Sequence, residues 1–240
     1  MCSRYARWII VDEIEEFSDL RLPPEPIPTT YNAAPQSNQP IIRLSHTGAP
    51  KIVLARWGLI PFWAKDAKVG YSTINARSEE LVNKPAFREP LKSRRCLVPA
   101  NCFYEWQQVG SKEKQPFAIG MKDDKPFFFA GLWDRWKAPD GTIIESFTIN
   151  TVAPNDLMKP LHDRMPCIVG QENYLRWLDP DQPVKSSLDL LRSYSSEKMR
   201  AWRVGKAVGN VRNDDATLIK EITGGAANEN RATPLLWKQN

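Results

Sequence analysis

The chain has 240 residues, 33 Lys and Arg against 28 Asp and Glu for a net charge of +5, and 42% hydrophobic residues. At roughly 100–200 residues per domain this length allows one large unit with a real core, and the composition excludes a disordered or fibrous chain. No apolar run approaches the about 18 residues of a membrane span. Residues 1–14 carry Arg4, Arg7, Asp12 and Glu13 where a signal peptide would be apolar.

The four cysteines form no C-x-x-C pair and the only histidines are His46 and His162, so neither a metal site nor a cofactor is expected. Free thiols fit a reducing, cytoplasmic location. A pI near 9.0 suits a polyanionic partner without requiring one. Nine Trp, nine Phe and six Tyr, with 20 Pro against 12 Gly, predict a loop-rich α/β or α+β domain. No regular strand–helix alternation appears, which favours mixed or antiparallel sheets.

In chain order, residues 11–20 have helical spacing and end at the proline cluster of residues 22–28. Residues 41–44 and 51–57 read as strands joined by the turn at His46–Pro50. An aromatic loop around Pro61 follows, then a helix over residues 81–91. Residues 95–106, 116–121, 126–133 and 146–152 read as strands. One helical turn at 155–159 precedes the polar loop Pro160–Pro166, and residues 167–169 read as a buried strand. Residues 171–178 and 187–194 have helical spacing. The globular unit is expected to span residues 1–222, with a flexible tail over 223–240.

Several residues could carry chemistry. Removal of Met1 would leave Cys2 with an α-amine of reference pKa about 7.7–8.0 beside a thiol of about 8.5. Such an aminothiol attacks an aldehyde through nitrogen and closes a thiazolidine through sulfur; the alternative is a small hydrophobe at position 2. His162, followed by Asp163 and Arg164, is either a proton shuttle or a loop anchor. Glu105 lies in Cys-Phe-Tyr-Glu-Trp, where alternation puts it on the face of Phe103. It is either a desolvated acid–base group or the partner of a basic side chain. Asn75 and Arg77 share one side of an extended segment, where they could orient a reacting group and bind phosphate, or serve as cap and surface pair.

Seven motifs occur in order: Cys2 with Arg4-Tyr5, residues 31–35 (YNAAP), 57–61 (WGLIP), 75–79 (NARSE), 95–100 (RCLVPA), 103–106 (FYEW) and 162–166 (HDRMP). Together they resemble the SRAP family, SOS response-associated peptidase-like proteins that shield abasic sites in single-stranded DNA. The resemblance runs from Cys2 to about Asn213. It implies an α/β domain with mixed and antiparallel strands in a barrel-like core, flanking helices and a basic cleft. By that likeness Cys2 is the nucleophile of a thiazolidine crosslink, Asn75 positions the adduct, and Glu105 and His162 manage protons. Arg4, Arg77 and Arg164 become candidate phosphate ligands and Trp63 a stacking or wedging residue, with core packing its alternative. The implied partner is single-stranded DNA with abasic sites, bound by a monomer, nucleoid-associated if the chain is bacterial. AP-lyase cleavage stays open, and a peptidase or amidohydrolase using Cys2, limited in the narrowest case to removing Met1, is the alternative. Ser3 stands where the family usually has Gly, and Asn101-Cys102 replaces its usual Asp/Ser-Gly.

Overall fold

The computed structural model describes residues 2–8, 28–111 and 113–222. The helix expected over 11–20, most of the proline cluster and the tail over 223–240 lie outside the described residues.

The strands begin with β1 (Tyr5–Arg7), β2 (Thr30–Ala33), β3 (Asn38–Leu44), β4 (Pro50–Trp57), β5 (Asn75–Arg77), β6 (Arg95–Ala100) and β7 (Cys102–Val109). They continue with β8 (Glu113–Met121), β9 (Phe127–Lys137), β10 (Ile143–Val152), β11 (Met165–Pro166), β12 (Ile168–Val169) and β13 (Met199–Arg203). Among the described residues three short α-helices accompany them, α1 (Pro85–Ser93), α2 (Tyr174–Leu178) and α3 (Val184–Leu188). Strands β4, β3, β6, β9 and β10 pair in a ring, which the parallel contact of β10 with β4 closes, so the larger sheet is a five-stranded barrel. Closure removes the exposed edges that an open sheet would present. The second sheet is antiparallel throughout, in the order β13-β8-β7-β1-β2.

Alternation along the strands decides what lies between the sheets. Tyr5 and Phe103 turn toward the barrel, where Tyr5 meets Trp57 at 5.3 Å and Phe129 at 5.9 Å between ring centroids, and Phe103 meets Phe129 at 6.0 Å. Cys102 and Tyr104, one residue out of phase, enter a separate cluster with Trp202, Val204 and Leu218. Each fully buried aromatic contributes about 1.5–3 kcal/mol relative to exposure, so this seam fixes the register of the short β1.

Helices α1 and α2 pack against the barrel, α1 on β6 and β9 and α2 on β6. Arg95 is buried and donates to the carbonyls of Leu91 (2.6 Å), Lys92 (2.9 Å), Trp177 (2.7 Å) and Asp179. One guanidinium thus satisfies carbonyls left over at the ends of α1 and α2, where a helix lacks its own donors.

Two expectations need correction. Residues 95–106 do not form one strand: the chain turns at Asn101, whose N–H donates to Ala6 O (2.9 Å) and whose side chain accepts from Trp8 N (2.9 Å). These bonds hand the chain from the barrel to the second sheet. The helix read over 187–194 is instead α3, started by Pro183, because the carbonyls of Leu190 and Arg192 turn to the Cys167 thiol. The loop at 155–162 does make helical turns, with Met158 N bonding both the main-chain and the side-chain oxygen of Asn155.

Candidate functional site

Three separate stretches converge at Cys2. The β1–β7 pairing, extended by Tyr104 N to Arg4 O at 3.0 Å, carries Cys2 toward the Glu105 end of β7. Strand β5 arrives from the other side, parallel to β10, after Trp57 Nε1 has fixed the carbonyl of Ile74 at 2.8 Å. From β5 the Asn75 amide donates to Cys2 O at 2.7 Å. His162 comes from the turns after β10 and lies within electrostatic reach of Glu105.

The aromatic loop between β4 and β5 is held at its base by close backbone packing. Gly58 has φ +123°, and a Cβ there would collide with the carbonyl oxygen of Gly70. Only glycine adopts that conformation with the loop closed so tightly. The loop carries Phe62 and Trp63 outward, Trp63 being 51% exposed, and Tyr71, later in the same connection, is exposed as well. Core packing of Trp63 is thereby excluded.

Cys2 and Glu105 are both buried. Burial pushes the Cys2 thiol well above its ordinary pKa, and the Glu105 carboxylate adds to the shift. Burial likewise raises Glu105, opposed by the nearby His162. The thiol is therefore held toward its protonated form, and the Glu105 carboxyl is raised above the ordinary carboxylate range. Asn75 Oδ1 is buried and has no hydrogen-bond partner among the described residues, although Nδ2 of the same amide is engaged. An unmet acceptor beside Cys2 is a place for a donor on a bound molecule.

The basic candidates divide. Arg77 is exposed at the end of β5. Arg164 is engaged: its guanidinium forms two bonds with Glu79, at 2.8 and 2.9 Å, and one to Thr151 O at 2.5 Å. That pairing pulls Glu79 down to about 2. Arg4 Nη1 bonds Asn32 Oδ1 at 3.0 Å and Val208 O at 3.2 Å, so it ties the strip that follows Cys2 to the C-terminal segment. Asn32 completes that clamp through Nδ2, which donates to the carbonyls of Val208, Asn210 and Asn213. Sequence reasoning did not single out Asn32, Glu79, Phe62 or Tyr71. The first two lie inside quoted motifs, but their partners stand 176 and 85 residues away. Among the described residues no group of three His, Cys, Asp or Glu is gathered to hold a metal, and no helix is long and apolar enough to cross a membrane.

The buried Cys2 thiol and Glu105 carboxyl and the half-buried Asn75 amide gather where a short N-terminal strand meets a closed barrel, at positions that three of the seven motifs contain. The chain belongs to the SRAP family, whose model, SOS response associated peptidase, matches residues 1–211. It is 42% identical over 224 residues to the abasic site processing protein YoqW of Bacillus subtilis, spanning 92% of this chain and 99% of that one. It is 34% identical over 247 residues to the abasic site processing protein HMCES of Xenopus tropicalis, with 88% and 73% covered. A crystal structure of a Bacteroides thetaiotaomicron protein superposes with a TM-score of 0.74 at 28% identity, covering 93% of this chain and 98% of that one.

Proposed function

We propose that this chain acts on abasic sites in single-stranded DNA during an SOS-type damage response, forming a covalent crosslink through Cys2 once Met1 is removed. The carrying observation is the Asn75 amide hydrogen-bonded to Cys2 O beside two buried ionisable groups, the Cys2 thiol and Glu105. The relatives' names, abasic site processing proteins, supply the substrate class.

The order of steps follows from the chemistry of the aminothiol. The unprotonated α-amine attacks first, because only the imine it forms offers the carbon to which the thiol adds to close the five-membered ring. Nitrogen adds to the aldehyde carbon of the ring-opened sugar, and water leaves to give an imine. The sulfur then adds to the imine carbon while the thiol proton passes to nitrogen, closing the thiazolidine. Glu105 is suited to relay that proton and His162 to serve the sugar oxygens, while Asn75 Oδ1 accepts from a sugar hydroxyl. Holding amine and aldehyde together supplies the proximity that the rare open-chain sugar requires. Arg77 and Trp63 are exposed for phosphate and base, Arg164 takes a phosphate in exchange for Glu79, and Arg4 adds its charge while keeping its clamp.

A cysteine peptidase using Cys2 is the competing reading. The test is incubation with a single-stranded oligonucleotide carrying one abasic site, followed by a denaturing gel. A heat-stable adduct that Cys2→Ala abolishes is the expected result. Noncovalent retention alone would leave a simple binding module, and Cys2-dependent peptide cleavage without DNA would favour the peptidase.

A further inference from the structure

His162 Nδ1 lies 2.7 Å from Asp163 Oδ1 and 3.0 Å from the main-chain N of Arg164. An amide N–H only donates, and a carboxylate only accepts. One ring nitrogen therefore faces a group that needs its lone pair and a group that needs its proton. An uncharged ring protonated on Nε2 satisfies Arg164 N–H; a ring protonated on Nδ1 satisfies Asp163.

The two forms differ in what the ring can do. With the proton on Nε2 and Nδ1 bonded to Arg164 N–H, the ring can only donate a hydrogen bond, since giving up that proton would leave an imidazolate. With the proton on Nδ1, Nε2 has a lone pair: it takes a proton to become imidazolium and returns it. The Arg164 amide is fixed, because its own side chain is anchored by Glu79 and Thr151 O. Asp163, by contrast, is 81% exposed on its side chain and free of any role in the core.

We infer that Asp163 is a positioning residue that makes His162 a proton carrier: accepting from Nδ1–H, it keeps Nε2 as the atom that takes and returns a proton. Without it the Arg164 N–H would hold the ring in the tautomer that cannot. The logic is that of a carboxylate fixing the tautomer of a catalytic imidazole. The ring acts electrostatically on Glu105, inside the site. The use of that proton rests on the proposed reaction with abasic DNA, whereas the tautomer does not.

The chain has only two histidines, so ring ¹⁵N spectra are simple, and His46→Gln, in a turn outside the site, leaves the His162 signals alone. In that background the uncharged ring should show a protonated Nδ1, and adding Asp163→Ala should move the proton to Nε2. The same substitution should slow adduct formation by about 10- to 100-fold, within the usual worth of acid–base catalysis, while binding of an undamaged oligonucleotide stays within about twofold. Asp163→Glu should recover part of the rate. Removing an exposed negative charge would by itself speed association with DNA; because Asp163 also helps to raise Glu105, the slower reaction supports the inference only together with the moved proton. An unchanged tautomer, or a rate within about twofold of the parent, would overturn the inference. If the parent protein forms no adduct at all, the proposed function fails and the spectra still decide the tautomer.

Discussion

Asn32→Ala tests whether the nucleophile's strip is held by the distant C-terminal segment. The Asn32 amide is buried, offers two N–H bonds to three carbonyls of residues 208–213 at 2.8–3.3 Å, and accepts from Arg4 Nη1 at 3.0 Å. Each neutral bond is worth about 0.5–1.5 kcal/mol net and the charged one about 1.5–3. Arg4 is half-buried, so its bond is discounted toward about 1 kcal/mol for solvent screening. Two amide bonds and one discounted charged bond give about 2–4 kcal/mol. Urea unfolding at neutral pH should show that loss as a lower midpoint with an unchanged slope, and Tm should fall by about 4–15 °C for a chain of this size. Adduct formation should fall well below the transition temperature as well, because Arg4 O receives the Cys2 thiol at 3.7 Å and moves with Arg4. A loss under about 0.5 kcal/mol, or unaltered adduct kinetics in a destabilised variant, would refute the clamp.

Glu105→Gln should lower the crosslinking rate by about 100- to 10,000-fold, read from gel time courses. Burial raises the Glu105 pKa in the fold, so its contribution to stability is intact below the unfolded carboxyl value and is lost as pH rises through the folded one. The variant should therefore gain stability over the parent at pH 7 and lose that advantage near pH 4; equal stability at both would contradict a raised carboxyl. Trp63→Ala should leave Tm unchanged, since the ring is half exposed, but weaken binding of a single-stranded oligonucleotide by about 1–3 kcal/mol in fluorescence titrations. Gly58→Ala should cost at least about 1–3 kcal/mol in urea, from its positive φ and the collision with Gly70.

The hairpin β3–β4 was legible because its turn contains Gly48, at φ +81°, between two apolar runs. Alternation also placed Phe103 and Glu105 on one face and Tyr104 on the other, and the two clusters bear out the split between Phe103 and Tyr104. Barrel closure was not derivable from the strands themselves: it rests on the parallel β10–β4 contact, which joins residues 90 positions apart, such as Ser146 and Arg56. The break at Asn101 was hidden because an apolar run reads the same whether it serves one sheet or two. Strand β13 went unnoticed, since Met-Arg-Ala-Trp-Arg is too short to distinguish a strand from a helical turn. Of the candidate site, Cys2, Asn75, Glu105 and His162 were legible through ordered motifs, and β1, β5 and β7 do bring the first three together. What Arg164 and Arg4 grip was not legible, because an ion pair or clamp across 85 or more residues leaves no local signal.

The central claim is that Cys2 closes a ring that its amine alone cannot. The most direct measurement is the intact mass of the product from protein and single-stranded abasic DNA, with and without borohydride, for the parent and for Cys2→Ala. The parent, lacking Met1, should give a heat-stable adduct one water lighter than its components without any reductant. Cys2→Ala keeps an α-amine but no sulfur, so it should give an adduct only when borohydride traps the imine. A parent adduct that also needs borohydride, or an equally stable one from Cys2→Ala, would contradict the account.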